Sequence, residues 1–399
     1  TLEPSSIVDL KFDTNSYVDF DAPDPDLYPQ GMLLWNTRRS GFNIKRYVEN
    51  YVDTTGQNTR YNDADQSDYV PARWVTDSGS KFGRHAQRQA VVTKLQALID
   101  TNSDIRETEV RDFDLIACPG YPEVIDNLIN LNVDRGTTAF VVGDSPLRLK
   151  SDNTTLSNWG LNVAGAVDNG DEGLVSHDEY SAVFYPSGYT NDNTGNPIVV
   201  PASHMMLKTI ALSDQVSYPW FAPAGTRRGG ITNATSVGFL DSKTSEFTQV
   251  SLTESQRDTL YSVAVNPITY FNGIGLVNYG QKTRAKSASA LDRINVARLV
   301  VYLRKQLNIL AKPYVFEPND KLTRDEIKQA VESLLLELVG LRAIYDYVVV
   351  CDETNNTPSR IDRNELYVDI AIEPVKAIEF IYIPLRLKNT GEIKGAKAK

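Results

Sequence analysis

Hydrophobic positions along the chain change period several times, and each change marks an element. After Arg84, Ala90, Val91, Leu95, Leu98 and Ile99 recur at helical spacing, predicting a helix that ends near Asp100-Thr101-Asn102. Residues 113–118 read as a short apolar strand closed by Pro119-Gly120. A helix over 122–132 turns Val124, Ile125, Leu128, Ile129 and Leu131 inward, and 138–142 is again an apolar strand. Helix, strand, helix, strand with short connections predicts an α/β layer whose parallel strands are covered on both faces. Further strands are expected at 180–186 and 198–201, and a short helix over 204–212.

Residues 218–310 organise the rest of the chain, joining a Pro/Gly-rich turn cluster to a hairpin-like run and then to the clearest amphipathic helix. That helix is expected over 289–311, with Leu291, Ile294, Ala297, Val301, Leu303, Leu307 and Leu310 on one side and Arg293, Arg298, Arg304 and Lys305 largely on the other. A second helix opens at Thr323-Arg324-Asp325-Glu326, which reads as a capping box, and carries Ile327, Val331, Leu334, Leu338 and Leu341 as its stripe. Strands are expected at 345–351 and at 366–372, where Leu366, Val368, Ile370 and Ile372 alternate with polar neighbours. After Pro374, residues 377–387 are apolar on both faces, a liability unless the same subunit covers them or they are donated to a neighbouring copy by strand addition. Ile378, Phe380, Ile381, Tyr382, Ile383 and Leu385 are therefore candidate inter-subunit residues.

The first 80 residues read as β and loop, with short strands around 17–20 and 31–35 and a polar loop at 54–69. The expected class is thus multidomain α/β and α+β. A β-rich segment (1–83) precedes an α/β domain (84–215) and a C-terminal α+β domain (216–399) of two helices on a small mixed sheet.

Composition narrows the function. Among 399 residues, 41% are apolar and 23% charged, and no apolar run reaches the roughly 18 residues that a membrane span needs. A net charge of −10 argues against a nucleic-acid-binding surface, which needs a basic footprint. Cys118 and Cys351 are too far apart to imply a disulfide framework or a metal knuckle, and buried free thiols are expected. The chain opens TLEPSSIVDL, with neither Met nor a leader pattern, so a fragment or processed product is expected.

No catalytic constellation stands out. Asp352-Glu353 with Asp362 matches no cation-loop spacing and reads as an Asx turn, with Asn355 and Asn356 at positions that tolerate left-handed backbone. Gly273, Gly275 and Gly280 mimic a phosphate loop with the third glycine misplaced and no helix opening on it. Of the histidines, His85 and His204 lack partners in sequence, and His177-Asp178-Glu179 reads as a solvated loop. The sequons at Asn153 and Asn233 have no meaning without secretion. Asp168 and Glu172 offer an acidic pair for an alternative reading as a carbohydrate-active hydrolase. Arg227, Arg228, Lys282, Arg284 and Lys286 form a basic set in an acidic chain, either ordinary surface charge or a contact with another subunit.

Five blocks in order carry a resemblance: YPWFAPAGTRRGGI (218–231), LYSVAVNPI (260–268), LDRINVARLVVYL (291–303), FEPNDKLTRDEI (316–327) and VVVCDETNNTP (348–358). Together they resemble the C-terminal part of the contractile tail sheath proteins of bacteriophages. DLIACPGY (114–121), RGTTAFVVGD (135–144) and YSAVFYP (180–186) are similar to the α/β domain that precedes it there. The resemblance implies a structural subunit, not an enzyme, with no cofactor, metal, nucleic acid or membrane insertion. It implies hexameric rings stacked around a tail tube, stored extended and contracting to drive the tube through an envelope. Further implied are terminal arms pairing with adjacent subunits, tube, baseplate and tail terminator as partners, and a place in the virion after assembly in the host cytoplasm. A sheath of a related injection or secretion machine fits the same blocks.

Overall fold

The computed structural model describes residues 82–241 and 246–379, apart from the side chains of 82–90. The expected strands near residues 17–20 and 31–35, the polar loop 54–69 and the apolar segment from Phe380 onward, with Ile381, Tyr382, Ile383 and Leu385, lie outside the described residues. In chain order the first described elements are α1 (Phe82–Thr101), β1 (Leu115–Ile116), α2 (Ile125–Asp134), β2 (Phe140–Asp144), α3 (Asn153–Gly160) and β3 (Ser181–Tyr185). Next come β4 (Ser187–Asn191), β5 (Pro197–Val200), α4 (Ala202–Val216), α5 (Gly225–Arg228), β6 (Ser236–Leu240), β7 (Phe247–Gln249) and α6 (Glu254–Ser262). The remainder is β8 (Val265–Phe271), β9 (Gly275–Asn278), α7 (Ile294–Ala311), α8 (Lys321–Gly340), β10 (Ile344–Val350), α9 (Pro358–Ile361) and β11 (Asp369–Pro374).

The main sheet has the order β1-β2-β3-β8-β9. Its first four strands run parallel, and β9 closes an antiparallel hairpin with β8. Every residue of β2 and β3 is buried, as a parallel sheet covered on both faces requires. Alternate side chains serve opposite cores. Phe140, Val142, Ala182 and Phe184 pack with Met205, Met206 and Ile210 of α4 and with Ile294, Ala297 and Val301 of α7. On the other face, Val183 and Tyr185 pack with Trp159 and Leu260, and Val141 packs with Leu128 and Leu131 of α2. A second, antiparallel sheet of order β5-β4-β6-β7 begins where the chain leaves β3.

The sheet crosses the boundary expected at 215/216. Strand β8 pairs with β3 in parallel, Val183 opposite Val265, so the two halves share one layer. The physical reason is coverage: β3 buries both faces and needs a neighbour on its free edge, which the hairpin after residue 264 supplies.

The C-terminal core lies between α7, α8 and the antiparallel pair β10–β11, with Leu299, Leu303, Ile327, Val331, Leu335, Leu338, Ile344 and Val349 around Trp220. Helix α7 therefore carries two apolar faces instead of one. Its basic side is packed as well: Arg298 is 3% exposed and pairs with Asp214, while Lys305 reaches Asp112 and Asp114. The start of α8 also differs from expectation. Asp320 is the N-cap and accepts from the Thr323 amide at 2.9 Å, placing Thr323 inside the first turn instead of capping it. An aspartate in extended backbone just before the helix reaches the free amides better than a threonine one turn later.

Leu335 is fully buried in this core whereas its neighbour Leu336 is 63% exposed. Leu335→Ala is expected to lower unfolding free energy by about 2–5 kcal/mol. Leu336→Ala is expected to change it by about 0.5 kcal/mol or less. Denaturant titration of the two variants checks this.

Candidate assembly site

The small sheet is the candidate for contact with other copies. Strands β10 and β11 pair only with each other among the described residues, in a register from Ile344 opposite Pro374 to Val350 opposite Asp369. Each strand keeps one edge without a strand neighbour among those residues. The turn between them is cross-linked by side chains. Asn355 Nδ2 donates to Val350 O at 2.7 Å, Tyr367 O at 3.1 Å and Asp369 Oδ2 at 2.9 Å. Asn356 Oδ1 accepts from the Tyr367 amide at 2.7 Å, and its Nδ2 returns to Tyr367 O at 2.9 Å. The expected Asx turn is present at Asp352, whose carboxylate accepts from the Thr354 amide at 2.8 Å. Asn355 and Asn356 do not supply the left-handed backbone; Asn364, at φ 57°, does.

Beyond β11 the chain crosses from the small sheet to the main body. Val375 N donates to Ala343 O at 3.0 Å, and Asn295 Nδ2 donates to Val375 O at 3.3 Å. Ile378 is exposed, whereas the Glu379 side chain is 16% exposed and held by four donors. Tyr261 Oη donates at 2.9 Å and Gln281 Nε2 at 3.1 Å to Oε1, Arg293 Nη2 donates at 3.0 Å to Oε2, and Arg293 Nε completes the pair on Oε1. Burial pushes the Glu379 carboxyl up, but the hydrogen bonds from Arg293, Gln281 and Tyr261 outweigh it and leave it below its ordinary value. Tyr261 moves the other way, raised by burial and then by the neighbouring carboxylate.

This cluster was not read from the sequence. The available signal was a lone carboxylate inside the apolar run 377–387, which a strand reading treats as incidental.

Of the basic set, Arg227 and Lys286 are exposed, and Arg228 and Lys282 are half-buried. Arg228 lies over the Phe221 ring and donates to Ser217 Oγ at 3.0 Å. Lys282 donates to Tyr261 O at 2.8 Å. Arg284 is removed from the surface set: it is 3% exposed and donates to Ser176 O at 3.1 Å and Val263 O at 2.7 Å. Its Nη2 faces His177 Nδ1 at 3.1 Å. Burial pushes it down to about 10, which still leaves the guanidinium charged at neutral pH, and that charge helps hold His177 below its ordinary value after desolvation. Its guanidinium is buried and directed at carbonyls and His177 of its own subunit, so it is not available to a partner.

The other candidates resolve without chemistry. Asp168 and Glu172 sit on an exposed loop. Gly273 and Gly275, at φ 80° and 101°, form the β8–β9 turn. A Cβ at Gly280 would lie 2.8 Å from Asn266 Oδ1, so that glycine marks a close approach of chain segments. His204 is exposed and the side chain of His85 lies outside the described residues. Asn153 is the first residue of α3, Cys118 is half-buried and Cys351 buried. Among the described residues no helix is long and apolar enough to cross a membrane, and no group of three metal-ligating side chains gathers.

Residues 286–388 match the family model of the phage tail sheath C-terminal domain. Over these residues the chain is similar to that tail sheath domain. The "Tail sheath protein" of Vibrio phage KVP40 is 42% identical over 182 residues, covering 46% of this chain and 26% of that protein. That of Enterobacteria phage T4 is 37% identical over 192 residues, covering 48% and 28%, and that of Salmonella phage ViI is 30% identical over 257 residues, covering 64% and 38%. The chain thus spans well under half the length of these curated relatives. Its fold is similar to the sheath of an extracellular contractile injection system, PVC, in the contracted state (TM-score 0.56, 20% identity, 76% of this chain and 75% of that one). It is also similar to a chain of the anti-feeding prophage baseplate (TM-score 0.55, 21% identity, 75% and 74%). The resemblance read from the five sequence blocks is borne out, and the matched residues contain α7, α8, β10, β11, Arg293 and Glu379, while Tyr261 and Gln281 of the Glu379 cluster lie before them.

Because Glu379 titrates below its ordinary value, the stability it contributes is present above the unfolded carboxyl pKa and lost as pH falls through the folded one. The thermal midpoint of the wild-type protein is expected to exceed that of Glu379→Gln at neutral pH, with the gap closing below about pH 4. A gap that stays constant across that range would contradict the assignment.

Proposed function

We propose that the chain belongs to a subunit of a contractile tail sheath. In this reading copies polymerise as hexameric rings around a tail tube in the virion, and the sheath contracts to drive the tube through the host envelope. The observation that carries the reading is the match of residues 286–388 to the sheath C-terminal domain, together with a two-stranded sheet that has no further strand partner among the described residues and an apolar segment following it in sequence. A strand donated by a neighbour would extend that sheet by main-chain hydrogen bonds, which tolerate whole-subunit rotation better than a set of specific side-chain contacts. Ile378, Phe380, Ile381, Tyr382, Ile383 and Leu385 are the residues of the donated strand. Exposed Arg227 and Lys286, with half-buried Arg228 and Lys282, are the contacts to the tube or to other subunits. The function is mechanical, with no catalytic step, and baseplate and tail terminator proteins bound the polymer, which assembles in the host cytoplasm.

A second reading, a sheath subunit of a related injection or secretion system, is favoured by the fold likeness to the PVC and anti-feeding prophage assemblies. The sequence identities favour the phage form.

The complete protein that carries this chain is expected to form rings or tubes under the electron microscope, and deletion of residues 380–399 is expected to leave it monomeric with an unchanged circular dichroism spectrum. Tubes that form equally well without those residues, or a complete protein that stays monomeric across all salt conditions, would overturn the reading.

A further inference from the structure

The terminal segment is fastened twice, to two different bodies. Residues 369–374 belong to the small sheet, and Glu379 belongs to the main one through its contacts. Its donors come from three places: Tyr261 near the end of α6, Gln281 in the segment after β9, and Arg293 just before α7. Those places are tied to one another and to the main sheet. Lys282 N donates to Asn266 Oδ1 of β8 at 2.7 Å, and Asn266 Nδ2 returns to Lys282 O at 2.8 Å. Lys282 and Arg293 form a backbone bridge, and Ile294 N donates to Gln281 O at 2.9 Å. Between the two fastenings, Lys376, Ala377 and Ile378 are exposed.

We infer that Glu379 is a positioning residue that staples the terminal segment to the main body, so that load entering from residue 380 onward reaches the main sheet before it can peel β11 from β10. This inference rests on the sheath reading for the origin of the load; the staple itself rests on the geometry. A two-stranded ladder pulled from its end opens one pair at a time, and such a sheet is marginal by itself. A carboxylate gripped by four donors, two of them from one guanidinium, resists as a unit. The charge balance works in the same direction. Lys282 is held below its ordinary value by desolvation and then by Arg293, and two anions offset these cations, Glu379 and Asp292, the latter 3.0 Å from Arg293 Nη1. Removing the Glu379 carboxylate leaves Asp292 alone to offset two cations in a half-buried place. Gln281 is 5% exposed and its Oε1 has no hydrogen-bond partner, so its amide is oriented by Glu379 and no alternative acceptor for it is visible among the described residues.

The test uses the complete protein with Glu379→Gln, which keeps the shape and removes the charge, and Arg293→Lys, which keeps the charge and removes the two-pronged grip. Amide exchange over residues 369–379 is read in the unassembled subunit, and polymer yield is read after assembly. Glu379→Gln is expected to speed exchange in that segment by about tenfold or more, leaving the rates in β2 and β3 as they were. Arg293→Lys is expected to give an intermediate rate. The wild-type protection is expected to fall on acidification while that of Glu379→Gln stays flat, and polymer yield is expected to drop with the loss of protection. Unchanged exchange over 369–379 in both variants would overturn the staple, whether or not polymers form. A wild-type protein that never polymerises would instead count against the sheath reading, and the exchange rates would still decide the staple.

Discussion

A β-sheet of two strands cannot stand by itself, and the C-terminal half of this molecule is arranged around that constraint. Strands β10 and β11 gain their stability from one face, where Ile344, Val349, Ile370 and Ile372 meet α8 and the inner side of α7. They gain more at the turn, where Asn355 and Asn356 tie residues 350, 352, 367 and 369 together. What packing cannot supply is a neighbour for the outer edges, each a row of backbone donors and acceptors. Among the described residues those edges have no strand partner, which is the observation the proposed strand addition starts from.

Helix α7 joins the small sheet rigidly to the rest. Ile294, Ala297 and Val301 belong to the core under the main sheet, and Leu299 and Leu303 to the core under the small one. Its charged residues are consumed in the same task. Arg298 holds Asp214 with both terminal nitrogens, Arg304 lies over Tyr180 and reaches Thr137, and Lys305 bridges Asp112 and Asp114. Of these only Arg298 is a buried charge, and removing Asp214 would strand it at a cost of about 3–5 kcal/mol, whereas the Lys305 pairs reach exposed carboxylates and contribute about 0–1 kcal/mol. Their effect is to fix the register of the helix against both bodies, so the orientation of the small sheet is set.

The strands and helices around the main sheet were legible because each buries a complete face and therefore shows its period, as 140–142 and 182–184 do. The sharing of one sheet across residue 216 was not, because strand pairing between Val183 and Val265 leaves no local trace. The basic residues misled for a related reason. Arg284 and Arg298 look like surface charge until the carbonyls and carboxylate that bury them are known, and those lie 21 to 108 residues away in sequence. The two asparagines of DETNNTP were read as turn formers when their side chains are the link. Glu379 was hidden because its partners converge only in three dimensions.

The proposal that copies of this chain join by completing the β10–β11 sheet meets its most direct test in a cryo-electron microscopy reconstruction of the assembled polymer, at a resolution that traces the backbone. At least one strand from a neighbouring copy is expected to be hydrogen-bonded along an outer edge of β10 or β11. Both edges facing solvent, or covered only by the chain's own residues 380–399, would contradict it.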